Sequence, residues 1–374
     1  MQSYFCKNNE KPIQPRIKHI LLAPLDWGLG HTTRCVPLIK HLRGQQNCRI
    51  ILAGSDWQLE FLSGYFPELS FELLKGYEVR YAAKGSQLKW RLLQQLPQLQ
   101  NTIRHEHGWL QRLAENHQLS GIIADNRYGL WHPHIPSVIL THQLQIQSGM
   151  GWAADRALLW AHYRQLSNFR QVWVVDTAEK SLACRLSHPA KIPGNATYIG
   201  LLSQFYEAGQ PAPSGQHHLL ILLSGPEPQR SLLSDLLWRE VLALNMPVVF
   251  VEGKKGVSRQ AGRQVQHRDQ LQGTELENAI TNAKMIVCRA GYSSIMDLVY
   301  LKKRAILIPT PGQTEQEYLS RLLTEKGIFP GWQQEGFSLQ NALLAARQFP
   351  FHPAFPPEAF SGFKPVLDQW LAGL

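Results

Sequence analysis

Residues 19–31, His19-Ile20-Leu21-Leu22-Ala23-Pro24-Leu25-Asp26-Trp27-Gly28-Leu29-Gly30-His31, join a short apolar run to a glycine-containing turn and the start of a helix. The apolar run is too short for a buried helix and fits a buried strand. Gly28 and Gly30 permit a tight turn and close approach of a ligand to backbone N–H groups at a helix start. The helix is expected from about residue 31 to 43. An ordinary strand-to-helix turn would look the same, because the third glycine of the dinucleotide fingerprint is missing and Asp56 is the sole nearby candidate for its ribose acid.

The same alternation extends outward. Strands are expected at 49–53, 121–124, 138–141 and 172–175, and amphipathic stretches separate them. After a Pro/Gly-rich stretch at 208–215 a second series follows, with strands at 219–223, 248–251, 285–288 and 305–309 and helices from about Pro228 and after Ser293. Strands spaced by helices indicate βαβ units and parallel sheets. We expect two α/β halves divided near residues 200–216: a flexible segment 1–16, a first domain 17–205, a second 216–355, and a closing helix within 356–374 that packs back on the first. The fold class is α/β, two Rossmann-like doubly wound domains facing a central cleft.

Composition narrows the function. The 374 residues are 44% hydrophobic and 18% charged, which excludes a disordered chain. Five scattered cysteines form no CxxC pair, so a disulfide framework or zinc site is not expected and a reducing compartment fits. The polar start lacks an apolar signal core, and no apolar run approaches the roughly 18 residues of a spanning helix. We expect a cytoplasmic protein, at most peripheral to the inner face of a membrane. The net charge of +10 calls for an anionic partner. No nucleic-acid-binding motif is evident, so nucleic acid is not the expected one.

In open α/β sheets ligands bind beyond the carboxyl ends of the strands, and the unusual residues fall there. His31 is read as a general base, kept neutral by the positive end of its helix; capping the turn is the plainer role. Asp125 ends a strand and would orient His31, act as the base itself, or cap the following loop. Asp26, Trp27, Gly28, Gly30, Asn126, Arg127 and His142 are the other first-half candidates, read as acceptor-side. In the second half, Ser224 and Gly225 form one turn. Arg289, Ala290, Gly291, Tyr292, Ser293 and Ser294 join a strand to a helix suited to a diphosphate. Asp297, one turn on, can accept from ribose hydroxyls or complement the helix dipole. The polar loop 312–316, with Gln313 and Gln316, can read sugar hydroxyls. Two stretches mix cations with aromatics: Lys84, Lys89, Trp90, Arg91, Arg104 and Trp109, then Trp152, Arg156, Trp160, Tyr163, Arg164 and Arg170. They are read as core or interdomain packing, with membrane docking as the alternative.

Residues 283–327, AKMIVCRAGYSSIMDLVYLKKRAILIPTPGQTEQEYLSRLLTEKG, resemble the donor-binding half of glycosyltransferase family 28, whose best-known member is the peptidoglycan N-acetylglucosaminyltransferase that makes lipid II. Residues 26–31, DWGLGH, resemble that family's N-terminal glycine turn. The resemblance implies a GT-B fold, a UDP-sugar co-substrate in the second half and a hydroxyl acceptor in the first, lipid-linked in the best-known member. By position it implies Arg289 to Ser294, with Ser224 and Gly225, near nucleotide and phosphates, Asp297 at the ribose, Gln316 and Glu317 at the donor sugar, and His31 at the acceptor. Asp26-Trp27 replaces small residues of the family's turn, Asp297 and Glu317 replace Glu and Gln, and Pro226 removes an N–H beside the phosphate turn. The expected mechanism is inverting transfer, and because no DxD sequence occurs, no bridging metal or other cofactor is expected. The alternatives are a UDP-N-acetylglucosamine 2-epimerase-like enzyme and a non-catalytic sugar-nucleotide scaffold.

Overall fold

The computed structural model describes residues 17–77, 94–146, 150–207, 218–260, 262–353 and 355–374. The 1–16 segment, the Pro/Gly-rich stretch 208–215 and the cations and aromatic at Lys84, Lys89, Trp90 and Arg91 lie outside these residues.

Seven strands form the first sheet: β1 (Lys18–Pro24), β2 (Cys48–Gly54), β3 (Ser70–Leu73), β4 (Gly121–Asp125), β5 (Ser137–Thr141), β6 (Gln171–Val174) and β7 (Ala196–Tyr198). Their order is β3-β2-β1-β4-β5-β6-β7, with every pair parallel. Five form the second: β8 (His218–Leu222), β9 (Val248–Val251), β10 (Val265–Arg268), β11 (Ala283–Cys288) and β12 (Ala305–Leu307), in the order β10-β9-β8-β11-β12, again parallel. The expected pair of doubly wound sheets is present.

Parallel sheets covered by helices on both faces need strands apolar on both sides. In β1, Ile20 and Leu22 join one apolar cluster while Leu21 and Ala23 join another, and all four are fully buried. Burying a side chain of the leucine or isoleucine kind stabilises by about 1.5–3 kcal/mol, so β1 anchors the sheet. The first of these clusters continues through Ala290, Tyr292 and Ile295 of the second half, so the halves share apolar packing.

Two differences from the sequence reading concern helices. The expected helix after His31 breaks into Leu29–Arg34 and Val36–Arg43, with Pro37 in the first turn of the second, where a missing N–H costs nothing. The closing helix runs only from Phe363 to Ala372, after a 3-10 turn at Pro357–Phe360. The helix packs on the first sheet: Trp370 meets Trp173 edge-on at 5.6 Å, and Lys18 Nζ donates to the Leu371 carbonyl at 2.5 Å.

The winding fixes where a site can form. From β1 the chain moves to β2 and β3, then returns to β4 on the other side of β1; from β8 it moves to β9 and β10, then returns to β11. The β1/β4 and β8/β11 pairs are the topological switch points, whose carboxyl ends are left open by diverging connections.

Candidate functional site

Both switch points face one cavity of about 390 Å³, within the usual range for small-molecule sites. From the first half its wall includes Asp26, Trp27, Gly28 and Gly30; from the second, Ser224, Gly225, Ser293, Ser294 and Asp297. The halves touch where Ser293 Oγ donates to the Gly30 carbonyl at 2.8 Å. A Cβ at position 30 would lie 2.9 Å from that oxygen, so glycine permits this approach. Gly225, at φ +102°, turns the chain in a region that favours glycine.

His31 and Asp125 meet beside this cavity, though neither is among the residues described as its wall. His31 Nδ1 lies 2.9 Å from Asp125 Oδ2; Asp125 is fully buried and His31 is 19% exposed. Arg34, one turn after His31, grips both Asp125 oxygens through Nε, at 3.1 Å, and Nη2. Burial alone would raise the Asp125 pKa, but the Arg34 and His31 charges and hydrogen bonds outweigh it and hold the carboxyl below its ordinary range. Burial, then the Arg34 charge, push His31 below 6.5 against the pull of Asp125. Asp125 is therefore a carboxylate that accepts from Nδ1–H, and the second ring nitrogen, Nε2, carries the lone pair. That is the electronic arrangement of a general base.

Other candidates are placed differently. Arg289 is 2% exposed and donates to the carbonyls of Ile308, Pro309 and Gln229, so its guanidinium ties loops inside the second half and is not brought to the cavity. Burial lowers its pKa to about 10. Arg127 also turns inward: Nε donates to the Pro24 carbonyl at 2.8 Å and Nη1 to buried Glu106 at 2.8 Å. Asn126 adopts φ +51°, which places its neighbour Arg127 in that core pair. Gln316 accepts from the Thr310 N–H at 2.9 Å and Glu317 from Gly312 N–H at 2.7 Å, so both shape their own loop. Gln313 is the N-cap residue of helix Thr314–Glu325. Ala290 is fully buried, and Gly291 opens the helix Tyr292–Tyr300. Tyr292 stacks on His142 at 4.4 Å.

Asp297 does line the cavity, but its carboxylate already receives Ser203 Oγ at 2.7 Å, Gln204 N–H at 3.1 Å and Gln204 Nε2 at 2.7 Å. Burial lifts its pKa to about 6, with those hydrogen bonds opposing the rise. It fastens the segment that leaves the first half.

Sequence reasoning missed several residues. Trp57, Gln204, Glu227, Arg230 and Gln270 line the cavity. Arg34 and Glu315 join the histidine cluster: Arg34 Nη1 lies 3.0 Å from His142 Nδ1, and His142 Nε2 lies 2.7 Å from Glu315 Oε1. The spacing of Arg34 three residues after His31, on one helical face, was a usable signal. Glu315 belongs to the polar loop 312–316 read as facing sugar hydroxyls; its contact with His142 depends on the docking of the two halves and left no mark in the sequence.

Comparison with known proteins agrees with this architecture. Residues 240–361 match the glycosyltransferase family 28 C-terminal domain. Over 89 residues the chain is 33% identical to UDP-N-acetylglucosamine–N-acetylmuramyl-(pentapeptide) pyrophosphoryl-undecaprenol N-acetylglucosamine transferase 1 of Bacillus thuringiensis (strain Al Hakam), a match covering 22% of this chain and 25% of that enzyme. It thus spans about a quarter of that relative's length. Among solved structures, the glycotransferase of kitacinnamycin superposes with a TM-score of 0.62 at 16% identity, covering 95% of this chain and 96% of the other. MurG of Acinetobacter baumannii does so with 0.52 at 13%, covering 94% and 95%. VinC, solved with dTDP, gives 0.58 at 15%, covering 94% of each chain. Residues 240–361 are thus similar to the glycosyltransferase family 28 C-terminal domain, in a chain of the GT-B fold.

Proposed function

We propose that the protein is an inverting glycosyltransferase that moves a sugar from a nucleoside diphosphate donor to a hydroxyl acceptor, without a bridging metal. The observation that carries this reading is the His31–Asp125 pair at the β1/β4 switch point, across the inter-half cavity from the β8/β11 switch point. His31 Nε2 takes the proton of the acceptor hydroxyl, whose oxygen attacks the anomeric carbon from the face opposite the diphosphate. The bond from that carbon to the diphosphate oxygen breaks, and the nucleoside diphosphate leaves with the electron pair. Free N–H groups at the start of helix Tyr292–Tyr300, with the Ser224–Gly225 turn, stabilise the negative charge that grows there.

The matched relative is named for UDP-N-acetylglucosamine, and VinC was solved with dTDP. We take UDP as the donor nucleotide here, because the sequence match lies with the former. A thermal-shift panel of UDP, dTDP and GDP in EDTA tests this. At about 100 times its dissociation constant a ligand stabilises by about 2.7 kcal/mol. UDP should raise the melting temperature clearly; a response to dTDP alone reassigns the nucleotide, and no response to any of them removes the transferase reading.

A specific surface favours a lipid-linked acceptor. Helix Trp152–Leu166 of the first half exposes Trp152 (79%) and Trp160 (66%), two turns apart, with exposed Arg156 between them. Arg164 sits over the Trp160 ring at 5.6 Å. This face is not packed in the core. Tryptophan with arginine on one helical face suits an anionic membrane interface. No helix among the described residues is long and apolar enough to cross a membrane. The protein should sediment with anionic liposomes at low salt and lose most of that binding in the Trp152→Ala/Trp160→Ala double variant. Equal sedimentation of the two proteins would remove this face from the reading.

A further inference from the structure

His31 and Glu315 are the ends of one hydrogen-bonded chain, His31–Asp125–Arg34–His142–Glu315, that crosses from the first half to the second. Its protons can be assigned from donor capacity alone. A guanidinium has no acceptor, so His142 Nδ1, 3.0 Å from Arg34 Nη1, must offer its lone pair. The ring proton of neutral His142 is then on Nε2 and is donated to Glu315 Oε1 at 2.7 Å. The ring is held flat against Tyr292, 4.4 Å away with planes 8° apart, and Tyr292 donates its hydroxyl to the Val175 carbonyl at 2.9 Å. On the other side, Arg34 fixes both Asp125 oxygens, and Oδ2 also receives His31 Nδ1–H.

The charges along this chain are one positive, on Arg34, and two negative, on Asp125 and Glu315, with both imidazoles neutral. The net negative charge is cancelled when His31 takes up a proton. The carboxylate that supplies the excess stands on helix Thr314–Glu325, in the second half. The charged and titratable groups facing His31 and its partners are Arg34 from its own helix, Cys35 just after it, Asp125 from β4, Tyr128 from the loop that follows, His142 from the loop after β5, Glu315 from helix Thr314–Glu325, and Tyr292 with Asp176 beside it.

We propose that Arg34, His142 and Glu315 are positioning residues that make His31 a competent base only when the donor half is docked. Glu315 fixes the His142 tautomer, His142 takes one arm of Arg34, and Arg34 holds Asp125 where it sets the His31 tautomer. Separation of the halves removes Glu315, so the base loses both its alignment and the compensating charge. The proposal rests on His31 being the base.

The test follows the His31 ring by NMR in full-length protein with isotope-labelled histidine, alongside kinetics, in Glu315→Gln and Glu315→Ala. Glutamine keeps an acceptor for His142 Nε2–H but not the charge, so His31 should titrate about half a pH unit lower with its Nδ1–H tautomer intact. Alanine should lower the titration equally and also mix the tautomers. In both, kcat should fall about tenfold or more while the donor KM stays within about twofold, with alanine the worse. If Glu315→Ala does not fold, the titration and kcat of Glu315→Gln decide alone. Unchanged His31 titration overturns the proposal, as does normal kcat with a shifted titration. Failure of the base reading itself looks different: His31→Ala would keep its turnover, whatever the NMR shows in the Glu315 variants.

Discussion

Replacing His31 with alanine should lower kcat by about 10²–10⁴-fold, the contribution of a positioned general base, while the thermal shift with the donor nucleotide persists. The cavity wall drawn from Ser224, Gly225, Ser293 and Ser294 does not depend on the imidazole, so donor binding is preserved. Asp125→Asn should also depress kcat, because an amide neither compensates a charged imidazole nor balances Arg34. The sign of the pH dependence follows from the same geometry. Burial and Arg34 lower the His31 pKa, so the neutral base persists below pH 6.5. The acid limb of kcat/KM should therefore fall below about 6.5, with a plateau through neutrality. Near-normal turnover of His31→Ala, or an acid limb above 6.5, would take the base role from His31.

The largest expected stability loss lies at the core pair Arg127–Glu106. Both side chains are fully buried, and Glu106 also receives the Tyr77 hydroxyl at 2.7 Å and the Gly129 N–H at 3.1 Å. Glu106→Gln leaves the Arg127 guanidinium without a counter-charge in a dry setting. Breaking a buried pair in this way costs about 3–5 kcal/mol, readable by urea denaturation. Arg127→Met/Glu106→Gln should recover much of that loss, because no uncompensated charge remains and the amide oxygen still accepts from Tyr77 and Gly129. If Arg127 contacts the acceptor instead, Arg127→Met would raise the acceptor KM with little change in stability. This separates the role read from sequence from the one the packing supports.

Central strands were readable because they are apolar on both faces: HILLAP, GIIAD and VVFV stand out from their surroundings. Three of the four edge strands, SFEL, ATY and VQHR, were not, being short, partly exposed and mixed in polarity, whereas the fourth, AIL, is buried and was read. An edge strand is defined by its neighbour, and a single sequence does not record neighbours. The same distinction runs through the site. Turn residues at strand ends, such as Gly28 and Ser224, follow from position along the chain and line the cavity. Arg289 and Arg127 occupy equally suggestive positions but point inward, since the loops they hold carry carbonyls that need donors. Glu315 meets His142, and Gln204 meets Asp297, only through contact between the halves.

The return of the last helix to the first sheet has a consequence for synthesis. Gly121, at the start of β4, lies so close to Trp370 that a Cβ there would fall 2.5 Å from its ring. The surface that Trp370 covers therefore stays bare while the whole second half is being made. A nascent chain paused after residue 300 leaves Trp173 and the start of β4 without that cover, and transiently exposed apolar surface of this kind invites aggregation. The order in which the ribosome delivers the two halves is thus not the order in which they are completed: the first half is closed by residues that emerge after the second.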